Sequence, residues 1–197
     1  MVNLARRLNP SIRFDEASAD ALPYADESFG AVVCAFGIGH FPAPESVMAE
    51  FARVVTPGGR AALSWWEGFS RNRINGLFHE VTAKLGVSAP GVLPQGPPMD
   101  RFSDPQTFAK FVRAAGFKEV HVASVASTHR LPNVDQLWEL AMGSFARASS
   151  LIRAQSEEMQ QRIRMAVSEA ARPYAQADGL HIPIGFLVVS AKRSIAP

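Results

Sequence analysis

Two kinds of hydrophobic pattern alternate along the chain, and their order predicts its elements. Ala31-Val32-Val33-Cys34-Ala35-Phe36 is apolar at every position. That pattern fits a strand covered on both faces in the middle of a parallel sheet. Gly37 and Gly39 end it. From Pro44 to Val55 the apolar residues Val47, Met48, Phe51, Val54 and Val55 fall on one helical stripe, with Pro44 suited to the first turn. Thr56-Pro57-Gly58-Gly59 reads as a turn, and Arg60 to Trp66 as the next strand. Strand, helix and strand in this order predict a parallel crossover and an α/β fold.

The reading extends in both directions. Upstream, Val2, Leu4, Ala5 and Leu8, followed by Arg6-Arg7 in the last turn and Pro10 beyond, predict the end of a helix whose start has no cap. Ser11 to Ala17, with Ile12 and Phe14 alternating with polar neighbours, predicts a short strand. Downstream, Ile74, Leu77, Phe78, Val81 and Leu85 predict a helix over 74–85. The Pro- and Gly-rich residues 86–101 predict a loop. Asp104 and Pro105 start a helix lined by Phe108, Phe111, Val112 and Ala115 and ended by Gly116. Phe117 to Val125 alternates like a strand. Asn133 and Gln136 form a capping-box-like start for a helix through Leu137, Leu140, Ala141 and Phe145. Ser156, with Glu157 and Glu158 after it, caps another helix, striped by Met159, Ile163, Ala166, Val167 and Ala170. After the Asp178-Gly179 turn, His181 to Ala191 predicts a long, apolar final strand.

Composition narrows the class. The 197 residues are 47% hydrophobic, enough for one domain, 1–197, with a sizeable core. Twenty Lys+Arg against eighteen Asp+Glu give a net charge of +2, a mixed surface rather than a nucleic-acid footprint. The single cysteine, Cys34, excludes a disulfide framework and a Cys-based zinc site, and reads as inert core. No apolar run approaches the roughly 18 residues of a membrane helix. No apolar core follows Arg6-Arg7, so a secretory signal is excluded, and a soluble cytoplasmic protein is the expectation. The chain has no G-x-S-x-G elbow, H-E-x-x-H motif or P-loop. His121 and His129 lack metal-ligand spacing, so no metal is expected.

Three segments carry a resemblance. Glu16-Ala17-Ser18-Ala19-Asp20-Ala21-Leu22-Pro23-Tyr24 with Asp26-Glu27-Ser28-Phe29 resembles the "GDAExLPFxDxSFD" stretch of class I S-adenosylmethionine-dependent methyltransferases, especially the ubiquinone/menaquinone-biosynthesis subgroup. Phe36-Gly37-Ile38-Gly39-His40-Phe41-Pro42 resembles that family's segment after its fourth strand. Glu50-Phe51-Ala52-Arg53-Val54-Val55-Thr56-Pro57-Gly58-Gly59 resembles its "E-xx-RVLKPGG" helix and turn. The resemblance implies a Rossmann-like methyltransferase sheet with a helical insert, 130–175, before the last strand and covering the pocket. It also implies that the final strand runs antiparallel between those at 60–66 and 117–125.

Two departures matter. The family's opening strand, glycine-rich turn, helix and second strand ending in a ribose-binding acid do not precede these motifs, so the chain reads as the N-terminally truncated remainder of such an enzyme. Ser18 stands where the family has Asp, leaving Asp20 to compensate. The glycine turn lets backbone N–H groups approach the cofactor. Without it, weak or no cofactor binding is expected of this chain alone.

The resemblance places S-adenosylmethionine, the expected cofactor, at strand ends. Ser18, Ala19 and Asp20 would contact adenine, and Phe36, Gly37 and Ile38 the methionine moiety. The alternatives are a solvated turn and a plain strand end. His40 is a candidate base near the methyl acceptor, weighed against a packing or capping histidine. Phe41, Trp65 and Trp66 are candidate walls of the acceptor pocket, with one tryptophan expected in the pocket and one in the core. The implied activity is methyl transfer to a small, moderately apolar molecule. The alternative is a non-catalytic remnant or interaction domain. The uncharged strand at 31–36 lacks one neighbour and needs protection. Direct pairing with the 11–17 strand is the favoured outcome, and pairing with a second copy across a two-fold the alternative.

Overall fold

The computed structural model describes residues 2–88 and 98–194. Most of the loop predicted over 86–101 falls on 89–97, outside the described residues. Strands β1 (Phe29–Ala35) and β2 (Val55–Trp66) pair in parallel, joined by helix α2 (Pro44–Val54). Pro44 sits in the first turn of α2, which buries Val47, Met48, Phe51 and Val54. β2 begins directly after α2, so the predicted turn at 56–59 lies inside the strand. Phe29 pairs with Val55 but Ala31 with Arg60, and the extra residues bulge out. Gly58 takes φ 75° there, and a Cβ on Gly59 would sit 2.8 Å from the Gly30 carbonyl oxygen.

Downstream of β2 lie helices α3 (Arg73–Lys84) and α4 (Pro105–Ala114). The Asp104 carboxylate accepts from the Thr107 N–H at 2.7 Å, and Gly116, at φ 87°, follows the end of α4. β3 (Phe117–Leu131) is longer than predicted and takes up the first two residues of the expected 130–175 insert. The insert is then α5 (Val134–Ser144), α6 (Ala146–Arg153) and α7 (Glu157–Ala171), followed by the short β4 (Ala175–Gln176). Only half of the capping box at α5 forms. Asn133 Oδ1 accepts from the Gln136 N–H at 2.9 Å, while the Gln136 side chain turns to Glu139. Ser156 caps α7 through the Met159 N–H.

The final strand, β5 (Gly179–Arg193), runs antiparallel between β2 and β3, giving the order β1-β2-β5-β3, with β4 paired to the start of β5. This is the placement the resemblance implies, and Leu187 and Val189 are fully buried within it. Two cores result. One packs Met48, Phe51, Leu63, Trp65, Phe108, Val112 and Leu187 between the sheet and α2 and α4. The other gathers α3, α5, α6 and α7 around Leu180 and Ile182 at the start of β5.

Two expectations are corrected. Residues 11–17 form no strand, and Ile12 is 56% exposed. A strand persists only against a neighbour, and among the described residues none runs beside this segment. It is tied elsewhere: Tyr24 Oη donates to Asp15, and the Tyr24 and Leu22 carbonyls are held by Arg53 on α2. Helix α1 (Val2–Leu8) buries no residue and is linked to the same segment by Arg6, which donates to the Phe14 carbonyl at 2.6 and 2.9 Å. β1, in turn, is an edge strand and not a covered one. Among the described residues it pairs only with β2, and Val33 is 73% exposed. The expected pairing of 11–17 with β1 does not occur, because those ties hold the segment off the open edge.

Candidate functional site

Because β1 and β2 are parallel, their C-terminal ends open on one edge of the sheet, where open α/β sheets bind ligands. Phe36, just past β1, takes a left-handed φ of 52°, unusual for a bulky residue. The surroundings fix it. Its N–H donates to the Ser64 carbonyl and hydroxyl, each at 3.1 Å. Its ring stacks on Trp66 with centroids 4.2 Å apart and meets Phe186 edge-on at 5.5 Å. Gly37 then leads into a 3-10 turn, Ile38–His40. A Cβ on Gly37 would lie 2.8 Å from Cys34 Sγ, and one on Gly39 would overlap the Trp65 ring. Both glycines are therefore required by packing inside the protein. Burial pushes the Cys34 thiol up, consistent with an inert core residue.

The Ser18–Asp20 turn belongs to the same region. Ser18 Oγ donates to the Asp20 carboxylate, and the Ala21 N–H to the Ser18 carbonyl at 3.1 Å. Ala19 and Leu22 pack on the core that also holds Ile38 and Phe41. Glu50 and Arg53 of α2 clamp the chain that follows. Glu50 accepts the Leu22 N–H at 2.7 Å and both Arg53 donors at 2.7 Å. Arg53 also donates to the Tyr24 and Leu22 carbonyls and to Asp26. The Arg53 guanidinium, and after it the Leu22 N–H, hold the Glu50 carboxyl down at about 2. The E-x-x-R pair noted in the sequence is thus a clamp on the loop that carries Ser18–Asp20.

The tryptophans divide. Trp65 is fully buried and donates from Nε1 to the Met99 carbonyl at 2.9 Å. Trp66 lines a small cavity at the strand ends. Phe41 is half-buried. His40 stands edge-on to the Trp65 ring at 5.1 Å with its outer side exposed. Partial desolvation and then the charge of Arg147 on α6 lower its pKa, so the imidazole is neutral at physiological pH.

The cavity involves residues that the sequence patterns did not single out. It has a volume of about 20 Å³ and is bounded by Trp66, Glu67, Phe69, Asn72, Asp100 and Ser103. Glu67, 8% exposed, accepts from Arg71 Nε at 2.7 Å and from Ser124 Oγ at 2.9 Å. A Cβ on Gly185 would overlap its carboxylate. The available signal was a lone acid directly after an apolar strand, with Arg four residues on and Asn just ahead of a helix. A wider groove of about 600 Å³ runs between α2 and α4, lined by Met48, Ala52 and Phe111. It lies among the helices.

Comparison with known proteins gives consistent results. Residues 1–63 match the family model described as a methyltransferase domain. The chain is 35% identical over 132 residues to a demethylmenaquinone methyltransferase of Deinococcus radiodurans, covering 60% of this chain and 54% of that protein. It is 32% identical over 127 residues to the ubiquinone/menaquinone biosynthesis C-methyltransferase UbiE of Nitrobacter hamburgensis, covering 59% and 49%. The chain spans about half the length of these curated relatives. Among solved structures, an S-adenosylmethionine-dependent methyltransferase of Thermotoga maritima superposes with a TM-score of 0.52 at 15% identity, covering 98% of this chain and 69% of that one. At that identity the likeness establishes the Rossmann-like methyltransferase fold.

Proposed function

We propose that this chain, which is similar to class I S-adenosylmethionine-dependent methyltransferases, is one of them and transfers a methyl group from that cofactor to a small planar acceptor of the quinone type. The observation that carries the proposal is the Glu50–Arg53 clamp, which fixes the Ser18–Asp20 loop to the core shared with the Phe36–Ile38 turn. In this reading Ser18, Ala19 and Asp20 receive adenine. One Asp20 oxygen is engaged by Ser18, leaving the other to accept. Phe36, Gly37 and Ile38 offer backbone groups to the methionine moiety. These residues fit one flank of the cofactor, and the open edge of β1 lies toward the other. When bound, the cofactor supplies an electrophilic methyl group on its sulfonium.

The remaining roles follow from position. His40, neutral at physiological pH, accepts the proton that the acceptor loses. Phe41 and Trp66 wall the acceptor, with Trp65 supporting them from the core. The insert α5–α7 covers the site and excludes water, its Arg147 acting on His40. We place the reaction in the cytoplasm; among the described residues no helix is long and apolar enough to cross a membrane. We also propose that a second copy pairs along the open edge of β1. Residues 31–35 there carry no charge or proline, and no strand among the described residues pairs with their outer row of backbone groups.

The test is methyl transfer by the full chain from labelled S-adenosylmethionine, at millimolar concentration, to reduced demethylmenaquinone. Label is expected in the quinone, with Arg53→Ala reducing the rate at least about tenfold through loss of loop positioning. No transfer, or transfer indifferent to Arg53→Ala, contradicts the proposal.

A further inference from the structure

The small cavity beside Trp66 contains an unbalanced polar group. Asn72 is 1% exposed and lines the cavity, yet its Oδ1 has no hydrogen-bond partner among the described residues. Buried acceptors are nearly always paired, so an orphan of this kind needs an explanation. Its place in the sequence makes the case sharper. Asn72 is the N-cap residue of α3, where an Asn side chain normally accepts from the first-turn N–H groups. Here it makes no capping bond.

The other groups around the cavity select what could satisfy Asn72. Both Glu67 oxygens are taken, by Arg71 and Ser124. Ser103 and Asn75 also line the cavity, so it offers donors as well as acceptors, and a neutral hydroxyl, which both donates and accepts, fits it. The volume of about 20 Å³ takes a single oxygen. Two aromatic residues, Trp66 and Phe69, also line it, Phe69 itself stacked on His79 at 4.3 Å, so a ring that carries the oxygen would meet aromatic surface.

We propose that this cavity is a subsite for the hydroxyl group of a planar aromatic ligand, with Asn72 Oδ1 as the acceptor that reads it. Taken with the proposed function, on which this step rests, the ligand is the methyl acceptor, held by a hydroxyl while its ring lies against Trp66. Asn72 is then a specificity-determining residue, distinguishing a hydroxylated ring from its ether or deoxy counterpart, since a site built to bond an O–H disfavours the analogue lacking it.

The experiment is ligand-observed NMR on the full chain without S-adenosylmethionine, using 1-naphthol and 1-methoxynaphthalene as probes. Wild type is expected to bind the naphthol about tenfold more tightly than the ether. Asn72→Leu should abolish that preference, and Asn72→Asp, which keeps an acceptor, should retain it. Equal binding of the two probes by wild type, or binding of neither, means that the cavity holds water only and overturns the subsite. That comparison needs no variant, so a misfolded Asn72→Leu leaves the test intact. A preference that survives in a folded Asn72→Leu overturns it as well. Because the readout is binding, a chain that distinguishes the probes but transfers no methyl group refutes the proposed function alone. One that transfers methyl without distinguishing them refutes the subsite alone.

Discussion

Glu50 and Arg53 show how much a short motif can determine. The sequence displayed them as part of a recognisable segment, and the structure gives the physical reason for the pair: three residues apart on α2, they bond each other and the loop at Leu22 and Tyr24. The Glu50 carboxyl falls from its ordinary 4.5 to about 2 on folding, so the folded state binds fewer protons than the unfolded one as the pH drops through that interval. The contribution of Glu50 is therefore complete above about pH 4.5 and is lost as pH falls toward about 2. Urea denaturation as a function of pH should show stability declining across this window, and Glu50→Gln should flatten the decline. An unchanged profile in Glu50→Gln would mean that the clamp contributes nothing. Other residues were legible only in part. Gly37 and Gly39 were read as strand-ending residues, and the Cys34 and Trp65 side chains that forbid a Cβ there became visible only in three dimensions. Asn72 is unmarked in the sequence pattern, and nothing local reveals that its side chain is buried without a capping bond.

At the level of elements, helices were the more readable. Asp104-Pro105, Asn133 and Ser156 carry their start signals locally, and each accepts the backbone N–H predicted for a cap. Strands depend on neighbours the pattern does not contain. Residues 11–17 alternate correctly and still form no strand, while 31–36 is apolar throughout and still lies at an edge. Residues 56–59, a bulge in the structure, read as a turn in the sequence because Pro and Gly report local geometry and not the ladder on either side. The open edge of β1 has a measurable consequence. Val33 is 73% exposed at its centre, so Val33→Lys should leave the fold intact while setting like charges against each other in a two-fold edge pairing. Sedimentation equilibrium should show association in the wild type and a monomer in Val33→Lys. A monomeric wild type at about 100 µM would refute the pairing, since that concentration exceeds the Kd of even a weak specific dimer.

For the whole molecule, the place of β5 between β2 and β3 is legible in the sequence, because the resemblance implies it and because a long final strand apolar on both faces belongs inside a sheet, whereas the edge position of β1 is not. What the pattern could not convey is how the two cores divide the labour. The sheet with α2 and α4 builds the strand-end edge, and α3 with α5–α7 forms a separate body that reaches this edge through Arg147 and the start of α3. The central claim is that S-adenosylmethionine binds at that edge, on one flank only, because β1 has no strand on its far side among the described residues. The most direct measurement is a titration of the isotopically labelled full chain with S-adenosylmethionine, followed residue by residue by NMR. The account predicts saturable shifts centred on Ser18–Asp20 and Phe36–Ile38, with a dissociation constant of about 1 mM, the affinity of a half-made site. Shifts centred elsewhere, or no shifts at several millimolar, would contradict the site, and micromolar binding would contradict the claim that only one flank of the cofactor is held.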